Sequence, residues 1–529
     1  MKNRYQKLFA FLCMGSFFIL SGLAQAQCPV PAKSERLDVN NIDALFNTNM
    51  SHFQSKEMLA DFIVPKGSGK STYYAASLWL GGLDEQDNLH LAAMRFGQNG
   101  NDFWAGPVST DADAGTYYDK LWKVSREEIE YHQLHYADAG YEMPEGIAHW
   151  PAHGRTEYGE SARLAPYKNV SGNNSYTPSM GDYPLINGDQ ALFFVNNDAC
   201  GAHTETGGEP FELEILSMAY AYNDPNEDLQ NTIFLSYELR NKSSNNYKDF
   251  YFGFWSDFDI GYSRDDYIGC DTLLNLMYGY NGTDIDGVGE VIAYGEHPPA
   301  QGAMLLNKKM NAFVYYNNSP SAVNGEPRLN TPLDYYNYLR AIWKNGLHVT
   351  YGGDGTNESG TPTNFMFSGD PVAGTGWTEL STGNTPEDRR GVMSVGPLTL
   401  PAGGSITVDI ALPFARKYEN GALGSVELLK QRTSAIQEYY DKNIVGIEEN
   451  NEHNGKLAIY PNPSNGQFTI TSEKTIESIE LFDMLGRKVF SDIPKAHTTQ
   501  INTYLPQGLY IYRAVMQDNA MRSGKIVVR

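Results

Sequence analysis

The chain has 529 residues, of which 41% are hydrophobic and 12% aromatic, and a formal net charge of −23 from 63 acidic against 40 basic side chains. That length leaves room for roughly three domains, and the apolar content is ample for real cores, which excludes a disordered chain. The acidity argues against nucleic acid and anionic membrane surfaces as partners, because both would meet repulsion, and makes cations the natural charged partners.

In chain order, Lys2, Arg4 and Lys7 precede an apolar run from Leu8 to Leu23, and Ala24-Gln25-Ala26 supplies the small residues a signal peptidase needs. Residues 1–26 are therefore expected to be a signal peptide cleaved after Ala26, and no later stretch is long and apolar enough to span a bilayer. A lipid-modified Cys28 would need a small residue before it, where Gln27 stands. Cys13 falls in the signal segment, leaving Cys28, Cys200 and Cys270. An oxidising compartment permits a Cys200–Cys270 bridge closing a loop of about seventy residues; free buried thiols are the alternative.

The run VPKGSGKST (64–72) mimics the second half of a phosphate-binding loop, but Val64 replaces its first glycine and Pro65 removes a backbone N–H, so a turn is expected. A helix is predicted over 125–136, where Ser125 and Glu128 form a Ser-x-x-Glu capping box. His132, His135, His149 and His153 raise the question of zinc. Pro151 breaks the second pair and no His-Glu-x-x-His occurs, so these are read as ordinary histidines. Residues 169–182, NVSGNNSYTPSMGD, carry amides where a calcium loop carries carboxylates, and an ordered turn is expected.

Strand patterns follow. In 211–222, Phe211, Leu213 and Ile215 share one parity, with Glu212 and Glu214 on the other; in 232–241, Ile233, Leu235, Tyr237 and Leu239 would face a core. In 247–259, Phe250, Phe252 and Phe254 occupy one face and Tyr251, Trp255, Asp257 and Asp259 the other. Three such strands in close succession predict antiparallel pairing. Residues 391–400 and 405–416 flank Pro401-Ala402-Gly403-Gly404, a hairpin or tight-turn pattern suited to a sandwich edge. A second helix is predicted over 425–442, with Val426, Leu429, Ile436 and Tyr440 on one stripe. The fold class is therefore mainly β: a large antiparallel β-sandwich body over 27–445, forming one domain or two sub-domains, with few helices and long loops, then an exposed linker over 446–456.

The densest candidate chemistry is DFDIGYSRDDYIGCD (257–271). Asp257 and Asp259 share strand parity, and Gly261 allows a turn that returns Asp265, Asp266 and Asp271 towards them. Ca²⁺ takes six to eight oxygens from such clusters, so this run is the expected calcium site, against a plain solvated acidic loop. The spacing is not that of an EF-hand.

The residues 457–529 read as a separate small domain. LAIYPNPSNGQFTI (457–470), IELFDMLGRKVF (479–490), LPQGLYIYRAV (505–515) and a closing SGKIVVR alternate as half-buried strands, separated by Pro461–Gly466, Leu485-Gly486-Arg487 and Pro506-Gln507-Gly508. In that order and position these blocks resemble the type A C-terminal sorting domain of the type IX secretion system of Bacteroidota. The resemblance implies a seven-stranded immunoglobulin-like sandwich, recognition by the outer-membrane translocon, removal by a sorting peptidase, and anchoring to lipopolysaccharide or release. SLWLGGLD (77–84), GNDFWAGP (100–107), AHWPAHG (148–154), GDYPLINGDQALFFVNND (181–198), the acidic run and EDRRGVMSVGPLTL (387–400) resemble large passengers of the same system, a likeness that brings no activity with it.

No Gly-x-Ser-x-Gly elbow and no papain-like cysteine context occur, although two carboxylates from distant strands would need no local motif. The leading expectation is a non-catalytic secreted or cell-surface protein serving adhesion or binding, stabilised by Ca²⁺, with a glycan or protein ligand. The rival is a secreted hydrolase, either a glycoside hydrolase or a peptidase. A structural matrix component is a third reading.

Overall fold

The computed structural model describes residues 28–443 and 457–529, apart from 463, 483–487, 504, 518–520 and 529. The expected signal peptide with its cleavage after Ala26, the linker over 446–456 and the Leu485-Gly486-Arg487 turn lie outside the described residues. The chain divides into two compact units, Met1–Gln437 and Glu438–Arg529.

The first unit is built on two large antiparallel sheets. One runs in the order Asp266–Asp271, Leu276–Asn281, Ala300–Leu305, Ser405–Ala415, Thr232–Asn241, Leu213–Ala221, Gln190–Asn197 and Trp104–Ala105, with Trp122–Ser125 also paired to Gln190–Asn197. The other is five-stranded, in the order Ala312–Tyr316, Arg389–Leu400, Tyr247–Phe258, Ala75–Leu83 and Leu89–Ala93. Leu192, Ile215, Leu235 and Ile410 of the larger sheet and Leu78, Phe250, Phe252 and Phe254 of the smaller one belong to a single apolar core. Alternation puts those side chains inward, and burying them is the main favourable term of the fold.

Both sheets are also covered on their outer faces, which sequence alternation did not reveal. Glu214, expected outward, is fully buried, with Arg240 3.3 Å from its Oε1, because loops cover that face. Trp255 is equally buried; it stacks on Trp79 at 6.4 Å and donates to the Tyr316 hydroxyl at 2.6 Å. The helix Pro332–Leu339, unforeseen from sequence, packs on this outer face. It approaches closely because Gly81 and Gly253 lack side chains: a Cβ at Gly81 would lie 2.7 Å from Tyr336, and one at Gly253 would lie 2.4 Å from Leu339.

The expected pairing of Leu213–Ala221 with Thr232–Asn241 is present. Tyr247–Phe258, however, leaves that ladder for the other sheet. The strands flanking Pro401–Gly404 do the same: Arg389–Leu400 pairs with Tyr247–Phe258 in one sheet and Ser405–Ala415 with Thr232–Asn241 in the other. The turn is thus a crossover between layers rather than a hairpin, and both strands are interior rather than at an edge. Asn241 holds the crossover by donating to the carbonyls of Leu400 and Pro401.

Both predicted helices form. Arg126–His135 starts with the Ser125–Glu128 capping box, and Gly421–Asn443 buries Val426, Leu429, Ile436 and Tyr440.

In the second unit, the long strand Gln467–Phe482 is the hub. It pairs with Leu457–Tyr460, Lys488–Asp492, Ala496–Asn502 and Gly508–Met516, which in turn pairs with Met521–Val528. Register shifts around Thr471–Ile476 let its two halves serve different partners, as a bulged strand bends. Phe468, Ile470, Ile479, Leu481, Ile501, Tyr510 and Ile526 form a core of its own. Six strands are present among the described residues.

Candidate metal centre and aromatic cleft

Asp257 is the penultimate residue of the Tyr247–Phe258 strand and Asp259 follows its end, so strand parity sends both carboxylates to one face. The register with the neighbouring strand decides what meets them. Asp257 pairs with Arg390 and Phe258 with Arg389, which carries Asp388 across from Asp259. One potential ligand oxygen from each of Asp257, Asp259 and Asp388 lies within 4.8 Å of the others.

Arg390 partly neutralises the three. Its Nε is 3.1 Å from Asp257 Oδ2 and an Nη is 2.9 Å from Asp388 Oδ2, with the guanidinium 5.2 Å from the centre of the Phe96 ring. Glu326 lies 3.7 Å from Arg390 and 3.4 Å from Arg95, whose Nε is 2.5 Å from Glu205. Two guanidiniums therefore serve five carboxylates, an excess of negative charge in a largely desolvated region. Asp257 Oδ1 and Asp388 Oδ1 are buried without a hydrogen-bond partner among the described residues. Burial pushes the Asp257 carboxyl well above the usual carboxylate range, against the pull of Arg390. Burial, reinforced by the charge of Asp388, pushes Asp259 up to about 8. The Asp257 side chain is 2% exposed and that of Asp388 23%, so the cluster opens to solvent on the Asp388 side.

The five carboxylates singled out in the sequence do not form one set. Gly261, at φ +72°, makes the expected turn, but the returning residues staple the loop. Asp266 accepts from the Ile260 amide at 3.0 Å, and Asp265 accepts from the Gly287 amide at 2.9 Å. Asp271 caps the next turn through the Leu273 amide and lies 3.2 Å from Lys430. Asp388 was missed because it lies far along the chain; the acidic-basic run Glu387–Arg390 opening a strand was the available signal.

The remaining motifs settle as structure. Asp182 accepts from the amides of Val170, Ser171 and Thr177, which makes residues 169–182 an ordered turn. The imidazole of His132 is held by Tyr141 and the Asp182 carbonyl, that of His135 by Asp138. Lys70 of the phosphate-loop mimic donates to the Ala293 carbonyl.

The cysteines pair differently from the candidate bridge. Cys200 is bonded to Cys28, with Cα atoms 5.9 Å apart, and Cys270 is free and buried, its thiol donating to the Met366 carbonyl at 3.3 Å. The reason is placement: Cys270 lies in the Asp266–Asp271 strand at one edge of the large sheet, whereas Cys200 follows Gln190–Asn197 near the other. A Cys28 whose sulfur is in a disulfide has no thiol left for a lipid.

A second site opens around residues 117–153. A cleft of about 500 Å³ is lined by Tyr117, Tyr118, Trp122, Trp150, Tyr176, His149 and His153, with Lys120 and Glu145 among its polar groups. Its walls are fixed: the Trp150 indole donates to the Pro166 carbonyl at 2.9 Å, Tyr118 to Glu160 at 2.7 Å and Tyr176 to the Ile147 carbonyl at 2.7 Å. Tyr117 is 63% exposed, and Nε2 of His153 is buried without a partner among the described residues. The cleft's one carboxylate, Glu145, lies 3.4 Å from Lys120, which sits over the Trp122 ring. A slightly larger cavity, about 540 Å³, is lined by Arg416 and Arg432, whose guanidiniums are held by backbone carbonyls, by Glu227, Phe414 and Tyr418, and by a group of amides. Several of these are already paired with one another, Asn41 with Asn231 and Gln230 with Asn223, which makes it a structural recess.

Among the described residues, no helix is long and apolar enough to cross a membrane. Comparison with curated proteins finds no match. Among solved structures, a polysaccharide lyase aligns at 8% identity and a TM-score of 0.19 over 60% of this chain; the chain spans about a third, 34%, of that lyase. CopC from Methylosinus trichosporium OB3b aligns at 18% identity and a TM-score of 0.12 over 14% of this chain and 89% of its own. PorZ, a surface component of the type IX secretion system of Porphyromonas gingivalis, aligns at 11% identity and a TM-score of 0.13, over 94% of this chain and 57% of its own. Such scores carry no argument about fold or activity. The C-terminal residues 458–529 match the family described as the secretion system C-terminal sorting domain. With the order of its blocks and its separately cored strands, this segment is a type IX secretion C-terminal sorting domain, and it addresses the chain for export to the cell surface or beyond.

Proposed function

We propose that the exported body is a non-catalytic binding protein that takes glycans outside the cell, with the aromatic cleft as its ligand site. The cleft carries the reading. Flat rings stack on the apolar faces of sugar rings, and Tyr117 presents an exposed ring beside the polar groups of His149 and Lys120. Glycoside hydrolysis needs a pair of carboxylates flanking the bond, and this cleft offers Glu145, already partnered by Lys120. That composition favours binding over the rival hydrolase. Removal of the terminal domain by a sorting peptidase, and a lipopolysaccharide anchor for the mature body, complete the proposal.

The test is a glycan array on the mature chain followed by titration calorimetry of the best ligand. Tyr117→Ala is expected to weaken binding roughly 3- to 10-fold by removing the stacking ring. Binding untouched by Tyr117→Ala and His149→Ala would move the site elsewhere. Cleavage products from a polysaccharide or protein panel would establish the hydrolase instead.

A further inference from the structure

We propose that Asp257, Asp259 and Asp388 form a binding site for a hard divalent cation, Ca²⁺, built where two neighbouring strands meet. The inference is independent of the glycan reading. Its ground is the geometry: three carboxylates from two strand ends place oxygens within 4.8 Å of one another. That spacing suits a shared ion with Ca–O bonds of about 2.3–2.6 Å.

A second observation points to a ligand. Asp257 Oδ1 belongs to a side chain only 2% exposed and has no hydrogen-bond partner among the described residues. A buried carboxylate oxygen left unpaired is costly, and its neighbour Arg390 is already shared between Asp257 and Asp388. The half-buried Asp259 carboxylate lies beside that of Asp388, so two like charges share the open side of the cluster. A dication at the centre offsets that repulsion. The partial exposure of Asp388 gives the ion a way in and lets water fill the remaining coordination positions. Hard oxygen ligands and the absence of any sulfur or imidazole from the set select Ca²⁺ over the softer transition metals.

The strand register is what makes the site. The Asp257↔Arg390 and Phe258↔Arg389 pairs bring Asp388 opposite Asp259, so the ion would tie the end of one strand to the start of the next. Asp265, Asp266 and Asp271 lie outside this three-carboxylate group: Asp265 and Asp266 each accept from a backbone amide through one oxygen, leaving Oδ1 buried without a partner among the described residues, and Asp271 lies 3.2 Å from Lys430.

The test uses the mature chain stripped with chelator, then dialysed against calcium. Equilibrium dialysis is expected to give saturable binding at micromolar to millimolar calcium, the range of sensor and extracellular sites. The melting temperature should rise by a few degrees at saturation. Asp259→Asn and Asp388→Asn, on the open side of the cluster, should each weaken binding at least tenfold and abolish the calcium-dependent rise. Asp265→Asn should leave both unchanged. No bound calcium and superimposable melting curves for the wild type would overturn the proposal, as would full binding by the Asp259→Asn, Asp388→Asn double variant. If a single variant does not fold, terbium binding by the wild type, competed by calcium, still decides: no competable terbium means no site.

Discussion

Arg390 Nε lies 3.1 Å from Asp257 Oδ2, and the two residues are cross-strand partners at the end of the ladder between two interior strands of the five-stranded sheet. Nearly all of this pair is out of water, so its geometry rather than its Coulomb energy fixes its worth.

Breaking that pair from the basic side strands the carboxylates. Arg390→Met is expected to destabilise the body by about 3–5 kcal/mol, the usual penalty for an uncompensated buried charge. Adding Asp257→Asn should recover part of the loss. Urea unfolding of the three variants, compared as a double-mutant cycle, measures the coupling.

The Cys28–Cys200 bridge spans a sequence separation of 172 residues and ties the first described residue to the large sheet. In the chain-entropy model such a loop contributes on the order of 5 kcal/mol. Cys200→Ser should therefore lower the melting temperature of the oxidised protein, whereas Cys270→Ser leaves the bridge intact. In the mature chain, which lacks Cys13, thiol labelling is expected to report one reactive cysteine, Cys270, and only after denaturation, because burial raises its thiol pKa and shields it. Two or more labelled thiols without reductant would contradict the pairing.

His52 gives the body an acid-sensitive point. Its imidazole is fully buried among Phe46, Phe53 and Phe194, and burial holds its pKa down to about 3 from 6.5. The unfolded chain binds this proton more readily than the folded one, so stability is intact above pH 6.5 and lost as pH falls towards 3. The loss at the acid end is a few kcal/mol. His52→Phe should flatten the dependence of the urea midpoint between those limits; an unchanged slope would assign it to other groups.

Gly253 sits where the Pro332–Leu339 helix meets the sheet. Gly253→Ala places a Cβ 2.4 Å from Leu339 and 3.0 Å from Val392, so an overpacking cost of about 1–3 kcal/mol is expected. Leu339→Ala in the same chain should relieve the clash, visible as a partial return of the melting temperature.

Deleting residues 457–529 should leave the body folded, since its core is its own, but remove its export address. Fractionation is expected to find the truncated chain in the periplasm. Its undiminished appearance at the cell surface would remove the sorting role from the terminal domain.

The sequence by itself determined what is local. Alternation marked the strands Leu213–Ala221, Thr232–Asn241 and Tyr247–Phe258, a capping box marked the helix at Arg126, and ordered turn and strand blocks marked the sorting domain. These signals depend on neighbours a few residues apart, where dihedral preference and period act directly. Tertiary structure alone decided which strands switch layers at Asn241 and Pro401, which cysteine finds Cys200, and that Asp388 joins Asp257 and Asp259. Each of those outcomes depends on ladder register and on which surfaces are covered by distant segments, and neither quantity is written in the residues next to the ones it governs.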